Sequence, residues 1–117
     1  MLIRSANHSD EKDLLTWRND YVTRKMFFEG ELIKKKDHNS WLEKVLKSKT
    51  ITLYIAEEDG VKIGVCRFDL NKKKKYSEVS INLNPKERNK HYSSKFLSLA
   101  IQEYLKNRQI TIQSRIK

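Results

Sequence analysis

The sequence predicts an α/β domain with a mixed central sheet and helices on both faces. Apolar residues alternate with polar ones in three long segments, 51–56, 61–69 and 78–83, as they do in strands. They recur at three- and four-residue steps over 92–105, as they do along one face of a helix. That helix follows one strand and precedes another, so the unit is βαβ and its two strands are expected to lie parallel.

The first half of the chain combines one short strand with three helical segments. The strand is Leu2–Arg4, and the side chains that could cap a first helix follow it, namely Asn7, Ser9 and Asp10. Apolar residues at helical spacing mark that helix and a later one: Leu14, Leu15 and Trp17, then Trp41, Leu42, Val45 and Leu46. A short helix over 21–26 lies between them and is broken by 27–30, and Asp37 or Asn39 is expected to cap the later helix.

The second half begins with a hairpin. Glu58-Asp59-Gly60 separates the first two long strands, and an Asp-Gly pair accepts the positive φ angles of a two-residue hairpin turn. Asn84-Pro85 ends the third long strand, Glu78–Leu83, and Ile110–Gln113 begins a last strand after the helix. With 117 residues and no internal repeat or linker, residues 1–117 are predicted to form a single domain.

Charge and composition narrow the functional classes. The formal net charge is +10, which favours anionic partners such as nucleic acid, a membrane or a phosphorylated cofactor. The lysines are spread along the chain, however, and the runs Lys34–Lys36 and Lys72–Lys75 lie between periodic segments and favour solvated loops. Nucleic-acid binding ranks last among the functions considered, because no basic stripe alternates with exposed aromatic residues.

The location predicted from composition is the cytoplasm. No apolar run approaches the roughly 20 residues that span a bilayer, so no membrane partner is expected. The one cysteine, Cys66, cannot form an internal disulfide, which fits a reducing compartment, and its position in a strand predicts a buried apolar role. No histidines, cysteines or carboxylates have the spacing of metal ligands, so no metal is expected.

A basic segment, Pro85–Ser93, connects the third long strand to its helix. The first turn of a helix presents unpaired N–H groups and a partial positive charge, and Arg88 and Lys90 add full charges beside it. From spacing alone this is an anion site of low specificity. A basic helix start without a ligand would be the favoured interpretation if the segment stood alone.

Together with its neighbours, the segment resembles motif A of the GNAT superfamily of N-acetyltransferases. That motif consists of a strand, a loop of pattern Gln/Arg-x-x-Gly-x-Gly/Ala, and a helix. The matching residues are Glu78–Pro85, Arg88–Ser93 and Phe96–Ile101. Further similar segments are Trp17–Asn19, His38 with Trp41, and Tyr54–Gly64 followed by Arg67-Phe68. Nearly the whole chain is covered, in the family's order. The pattern is similar to the RimJ/RimL-like branch and, within it, to acetyltransferases of bacterial amino-sugar nucleotides such as those of pseudaminic acid synthesis.

The resemblance implies an acyl-CoA N-acyltransferase fold with acetyl-CoA as co-substrate. Backbone groups of Ile81, Asn82 and Leu83 would bind the pantetheine arm as an added strand. Backbone N–H groups of the loop would hold the pyrophosphate: Arg88, Asn89, Lys90, His91, Tyr92 and Ser93. Glu78 matches a carboxylate that often acts as general base, and a solvated strand-end residue is the equally weighted alternative.

The acceptor pocket is expected between the early helices and the sheet. The candidates for it are Arg18, Arg24, Trp41 and Arg67. Arg18 and Arg24 could bind an anionic acceptor, with surface ion pairs as the alternative, and Trp41 also fits the apolar stripe of its helix. The acceptor is expected to be a small-molecule amine, either an amino-sugar nucleotide or another small amine, with a protein N-terminus left open.

Two departures from the family pattern bear on activity. His91 replaces the first loop glycine and Ser93 the second, and glycine there permits close approach of a phosphate. The chain also ends soon after Ile110–Gln113, where the family continues with a helix and a hairpin that often supplies a tyrosine as general acid. We therefore expect a truncated polypeptide or a fold completed by a partner chain, with a homodimer as one form. A catalytically impaired remnant or interaction module is the alternative function.

Overall fold

One five-stranded mixed sheet organises the computed structural model, which describes residues 1–27, 31–106 and 108–114. Its strands lie side by side in chain order: β1 (Leu2–Ser5), β2 (Ile51–Glu58), β3 (Val61–Asn71), β4 (Tyr76–Leu83) and β5 (Thr111–Ser114). The first three pairings are antiparallel, and β4 and β5 are parallel. The predicted mixed sheet and the predicted parallel βαβ unit are both confirmed.

Four helices cover the two faces of the sheet. They are α1 (Glu11–Arg18), α2 (Tyr21–Phe27), α3 (Lys35–Lys47) and α4 (Ser93–Leu105). On one face α4 packs through Phe96, Ala100 and Tyr104, and on the other α1 and α3 pack through Leu14, Trp17, Leu42 and Val45. The prediction of helices on both faces is confirmed. Among the described residues, no helix is long and apolar enough to cross a membrane.

Aromatic packing fixes α4 against β3 and β4. The ring of Tyr104 stacks on that of Phe68 with 4.0 Å between the centroids, and its hydroxyl lies 2.6 Å from the Ser77 hydroxyl. Both rings are buried. Burial of their apolar area and the hydrogen bond of the Tyr104 hydroxyl therefore both stabilise the packing of α4 on the sheet. Since α4 is anchored on the first half of β4, its N-terminus lies beside the far end of that strand.

A buried carboxylate joins the N-terminal segment to β3. Asp10 has no exposed surface, and both of its oxygens accept hydrogen bonds from the Arg4 guanidinium at 2.8 Å. Its Oδ1 also lies 2.8 Å from Lys62 Nζ, and its Oδ2 accepts a bond from the Asn7 amide. Burial acts to raise the pKa of Asp10, but the bonds from Arg4 and Lys62 outweigh it and hold that pKa well below its usual range. The cluster ties β1 and the first turn to the sheet.

The hairpin turn is as predicted, and several element bounds differ. Asp59 and Gly60 have φ angles of 50° and 81°, which are the positive values that a two-residue turn requires. The predicted cap of α3 is wrong, because Lys34 occupies the N-cap position and makes no side-chain cap bond, and Lys35 and Lys36 are helical instead of lying in a loop. Of the segment predicted to break α2, residues 28–30 lie outside the described part of the chain.

The feature that positions the site is the incomplete pairing of β4. Its first half pairs with β5, from Tyr76 opposite Thr111 to Val79 opposite Ser114. The described part of β5 ends there, so within it Ser80–Leu83 have a neighbouring strand only on the β3 side. On that side the backbones are close, since a Cβ added at Gly64 would lie 2.6 Å from the Asn82 carbonyl oxygen. Among the residues that the structure describes, the second half of β4 therefore presents an open backbone edge.

Candidate active site

A cavity of about 430 Å³ lies where the open edge of β4 meets the loop before α4. Helix α2 forms its opposite wall with Val22, Thr23 and Met26. The remaining lining residues are Ile81, Asn82, Leu83, Arg88, Asn89, His91, Tyr92 and Ser93. The structure thus brings together every residue that the sequence proposed for cofactor binding except Lys90, which lies outside the lining. We call this cavity the α2 cleft.

The loop that closes the α2 cleft has a concave backbone. Asn89 and His91 adopt φ angles of 65° and 63°, in the left-handed region, and Tyr92 returns to the right-handed helical region. Successive N–H groups in such alternating conformations point to a common centre and form an anion-binding concavity. From Asn89 to Ser93, no backbone N–H donates a hydrogen bond to another described residue. These five amides, at the N-terminus of α4, can receive an anion.

His91 occupies the backbone conformation that the family's first loop glycine would supply. A non-glycine residue in the left-handed region is uncommon, although histidine and asparagine tolerate it better than most. The side chain of His91 is exposed, so the loop forms without displacing protein atoms. The departure from the family pattern therefore changes the residue and keeps the geometry of the loop.

The two loop cations that the sequence singled out already have carboxylate partners. Arg88 Nη2 lies 2.6 Å from Asp20 Oδ2, and Lys90 Nζ lies 2.7 Å from Glu87 Oε2. The bond to Glu87 raises the pKa of Lys90. The Arg88 amide also donates a long, 3.5 Å bond to the Pro85 carbonyl, so the run of amides without a partner begins one residue later than the predicted range. The backbone, more than these side chains, gives the loop its capacity for anions.

Glu78 lies outside the α2 cleft. It stands opposite Asp69 of β3 and Gln113 of β5, and it lines a second cavity of about 560 Å³. That cavity, which we call the Glu78 cavity, is lined by Thr50, Asp69, Leu70, Asn71, Lys72, Lys73, Tyr76 and Glu78. Ile81 follows Glu78 by three positions, which is about 10 Å along a strand. The predicted base and the predicted cofactor residues thus lie at opposite ends of β4.

Three of the four predicted acceptor residues share the α1–α3 face of the sheet. The Arg18 guanidinium carbon lies 4.0 Å from the centroid of the Trp41 ring, a cation–π contact. Burial and then the positive charge of Arg67 lower the pKa of Arg18 to about 10. Arg67 itself binds both carboxylate oxygens of Asp69 at 2.9 to 3.1 Å. The fourth candidate, Arg24, is on α2, with its guanidinium carbon 5.8 Å from the Tyr21 ring centroid.

A buried histidine forms a hydrogen bond with Arg18. His38 has no exposed surface, and its Nδ1 lies 2.9 Å from Arg18 Nη1. Since arginine can only donate, Nδ1 accepts and the imidazole is neutral. Burial and the charge of Arg18 both lower the pKa of His38, which agrees with a neutral ring. His38 lies near the start of α3, as expected from the sequence.

Comparison with known proteins gives the family. The model of the acetyltransferase (GNAT) domain matches residues 3–114, nearly the whole chain. This chain belongs to the GNAT acetyltransferase family. The members of that family use acetyl-CoA as the acetyl donor. No curated protein matches the sequence.

Solved structures share the GNAT fold at low sequence identity. Spermidine N-acetyltransferase from Vibrio cholerae, in complex with CoA and spermine, is 13% identical with a TM-score of 0.80; the match covers 91% of this chain and 64% of that one. Ribosomal-protein-alanine N-acetyltransferase from Brucella melitensis is 22% identical with a TM-score of 0.74, covering 92% and 69%. A transcriptional regulator from Bacillus halodurans is 16% identical with a TM-score of 0.75, covering 99% and 81%. At these identities the likeness shows the fold alone.

Two residues of this GNAT site were missed by the sequence analysis. Asp20 and Thr23 contact Arg88 from the start of α2, and Thr23 is 2% exposed. Asp20 is 68 positions away from Arg88. Neither Asp20 nor Thr23 belongs to the segments that resemble the family. A threonine on a short polar helix carries no sequence signal of burial. Only the packing of α2 against β4 shows their place in the site.

We predict that His91→Gly leaves the free energy of unfolding within about 1 kcal/mol of the wild type. Glycine removes the left-handed penalty of roughly 1–2 kcal/mol and adds a comparable backbone entropy to the unfolded chain. His91→Val is expected to destabilise by about 1–2 kcal/mol, because a β-branched residue is strained at a φ of 63°. Denaturant titration measures both. Equal destabilisation by the two variants would show that the imidazole, and not the backbone, holds the loop.

Proposed function

We propose that this GNAT domain transfers the acetyl group of acetyl-CoA to a primary amine. The observation that carries the proposal is that the open edge of β4 leads directly to the amides of Asn89–Ser93 within the α2 cleft. An extended pantetheine arm fits a strand edge, and a diphosphate fits concave amides at a helix N-terminus. The two parts of the site match the two parts of coenzyme A in order.

The proposed cofactor residues act mainly through their backbone. Ile81, Asn82 and Leu83 would bind the amide groups of the pantetheine arm, and Asn89, Lys90, His91, Tyr92 and Ser93 would hold the diphosphate. Bound there, acetyl-CoA supplies an acetyl group activated as a thioester. Val22 and Met26, which are 49% and 51% exposed, offer apolar surface on the opposite wall.

Glu78 is the proposed general base. A protonated amine has no lone pair, so one proton must leave before the nitrogen can attack the thioester carbonyl. The Glu78 carboxylate would accept that proton, directly or through water. The nitrogen lone pair then forms the C–N bond, and the C–S bond breaks with its electron pair on sulfur. The new amide nitrogen loses its extra proton, and the thiolate takes up one proton to leave as the thiol of CoA. Because Glu78 and the α2 cleft lie at opposite ends of β4, the amine would enter from the Glu78 cavity and meet the thioester near Ser80.

An amino-sugar nucleotide is the proposed acceptor, as in the amino-sugar-nucleotide acetyltransferases that the sequence resembles within the RimJ/RimL-like branch. Arg18 lies over the Trp41 ring, and the charge of Arg67 acts on Arg18, on the face that also carries Glu78. Guanidinium groups bind phosphate, and an aromatic ring adds a stacking surface for a base or sugar. The same cations would repel a polyamine. A protein N-terminus or a small neutral amine remains the alternative acceptor class.

A CoA-binding module without turnover is the second candidate function. It is favoured by the position of Glu78, which lines a cavity separate from the α2 cleft. In this version the cleft binds coenzyme A, but no carboxylate reaches the amine.

We predict that Glu78→Gln lowers kcat by about 10²–10⁴-fold, the usual contribution of a general base. The dissociation constant of acetyl-CoA is expected to stay within about 2-fold, because Glu78 lies outside the α2 cleft. Steady-state kinetics and calorimetric titration measure the two quantities. Glu43→Gln is the matched control, since Glu43 is an exposed carboxylate on α3 that pairs with Lys47.

The results separate the two candidate functions. Wild-type binding of acetyl-CoA without acetylation of any amine supports the CoA-binding module. The absence of binding at millimolar acetyl-CoA would overturn both candidates. Unchanged kcat in Glu78→Gln would remove Glu78 from the mechanism while leaving the cofactor site standing.

We predict that acetyl transfer prefers an amino-sugar nucleotide over spermidine, and that Arg18→Gln narrows this preference by about 10-fold. The physical reason is the loss of one charge-assisted hydrogen bond to phosphate. The measurement is the ratio of kcat/KM for the two acceptors within each variant, so that partial unfolding cancels. An unchanged ratio in Arg18→Gln, or a wild-type preference for spermidine, would contradict the anionic acceptor.

A further inference from the structure

One guanidinium connects the cofactor loop, α2 and β4. Arg88 Nη2 donates to Asp20 Oδ2 at 2.6 Å and to Thr23 Oγ1 at 3.1 Å. Thr23 Oγ1 donates in turn to Asn82 Oδ1 at 3.0 Å. Asp20 Oδ2 also accepts a 3.3 Å bond from the Thr23 amide, so the same carboxylate caps α2. We call these four side chains the α2 latch.

The described side chains of helix α2, 21–26, have little apolar packing. Of its side chains that the structure describes, 21–26, Thr23 alone is buried. Tyr21, Val22 and Met26 are 60%, 49% and 51% exposed. Among these described side chains, burial of apolar surface therefore contributes little to the position of the helix. The polar contacts of the latch hold it over the cleft.

The charge balance at Asp20 agrees with this role. Burial acts to raise the pKa of Asp20, but the hydrogen bond and charge of Arg88, together with the bonds from the Thr23 and Val22 amides, outweigh it and lower the pKa. The carboxylate is therefore ionised at neutral pH, and the contact with Arg88 is a charge-assisted bond. Through Nη2 alone, the Arg88 guanidinium holds an ionised carboxylate at 2.6 Å and a hydroxyl at 3.1 Å, and both partners lie at the start of α2.

We infer that Arg88 is a positioning residue, which fastens α2 against the cofactor cleft through Asp20 and Thr23 and does not itself bind the diphosphate. This inference rests on the proposed function, since the cleft in question is the acetyl-CoA site. The latch keeps Val22 and Met26 against the cofactor. It also binds the Asn82 side chain, so the Asn82 backbone groups stay correctly placed to bind the pantetheine arm. Asp20 and Thr23 thereby affect cofactor binding through Arg88.

The two possible roles of Arg88 predict opposite effects of Asp20→Asn. Asparagine keeps the shape of the side chain and removes its charge. If Arg88 positions α2, the helix loosens and the dissociation constant of acetyl-CoA rises, by about 10-fold for one charge-assisted bond. If Arg88 binds the diphosphate, the substitution releases the guanidinium, and the dissociation constant stays unchanged or falls.

A second pair of variants tests the rest of the latch. Thr23→Val keeps the side-chain shape and removes the hydroxyl that joins Arg88 to Asn82, so acetyl-CoA binding is expected to weaken severalfold. Thr23→Ser retains the hydroxyl and should bind like the wild type. Asp59→Asn, in the exposed hairpin turn, is the matched control for Asp20→Asn and should leave binding unchanged.

Calorimetric titration with acetyl-CoA, well below the thermal midpoint of each variant, gives the decisive numbers. Weaker binding in Asp20→Asn and Thr23→Val, with recovery in Thr23→Ser, supports the positioning role. Equal or tighter binding in Asp20→Asn overturns it and makes Arg88 a phosphate ligand. A lower thermal midpoint with unchanged binding also overturns it. If the wild type itself does not bind acetyl-CoA, the proposed function fails first.

Discussion

The site depends on one constraint, which is that the described part of β5 pairs with only the first half of β4. Along the described residues, β5 pairs with Tyr76–Val79 and leaves the edge of Ser80–Leu83 open. Helix α4 is anchored by Tyr104 on the paired half, so its amide-rich N-terminus lies beside the open half. A bare strand edge is a template for another extended chain. In this fold the pantetheine arm would take the place of that chain, and the amides would bind the charged end of the same molecule.

The loop and the helix that form the other walls of the α2 cleft show local backbone strain and polar contacts. Asn89 and His91 lie in the left-handed region of backbone conformation. Residues other than glycine stay in that region only where the surrounding structure fixes their backbone. Helix α2, on the other wall, is held by the Asp20, Thr23 and Arg88 contacts, while its apolar residues Val22 and Met26 are exposed. Elements with few buried apolar contacts open more readily than the core does. The cleft is therefore bounded by the edge of β4 on one side and by a helix with observed polar contacts on the other.

Much of the fold could be predicted from periodicity, because the core imposes it. The alternation in 51–56 and the Asp59-Gly60 turn located the hairpin, and the three- and four-residue steps over 92–105 located α4 to within one residue. The start of α3 could not be predicted, since Lys34 makes no side-chain cap bond and leaves no signal. Asp37 and Asn39 were the better caps by composition, but they lie inside the helix.

The residues of the candidate site were predictable as members of a motif, but their surroundings were not. The loop and strand residues that line the α2 cleft follow one another closely in the chain, so the motif placed them together. The separation of Glu78 from that cleft depends on where α2 and the loop end up in space. The partner of Arg88 is 68 positions away, and contacts at that distance are set by tertiary packing alone. For the same reason the positive charges of Arg88 and Lys90 could be counted from the sequence, but their ion pairs could not.

The most direct test of this account is the response of the backbone amides to acetyl-CoA in a two-dimensional NMR titration of the ¹⁵N-labelled chain. The account predicts that the largest shift changes fall on Ile81–Leu83 and on Asn89–Ser93, with small changes in β1 and β2. Changes that avoid both segments, or that cluster on another face of the sheet while binding is saturated, would contradict it.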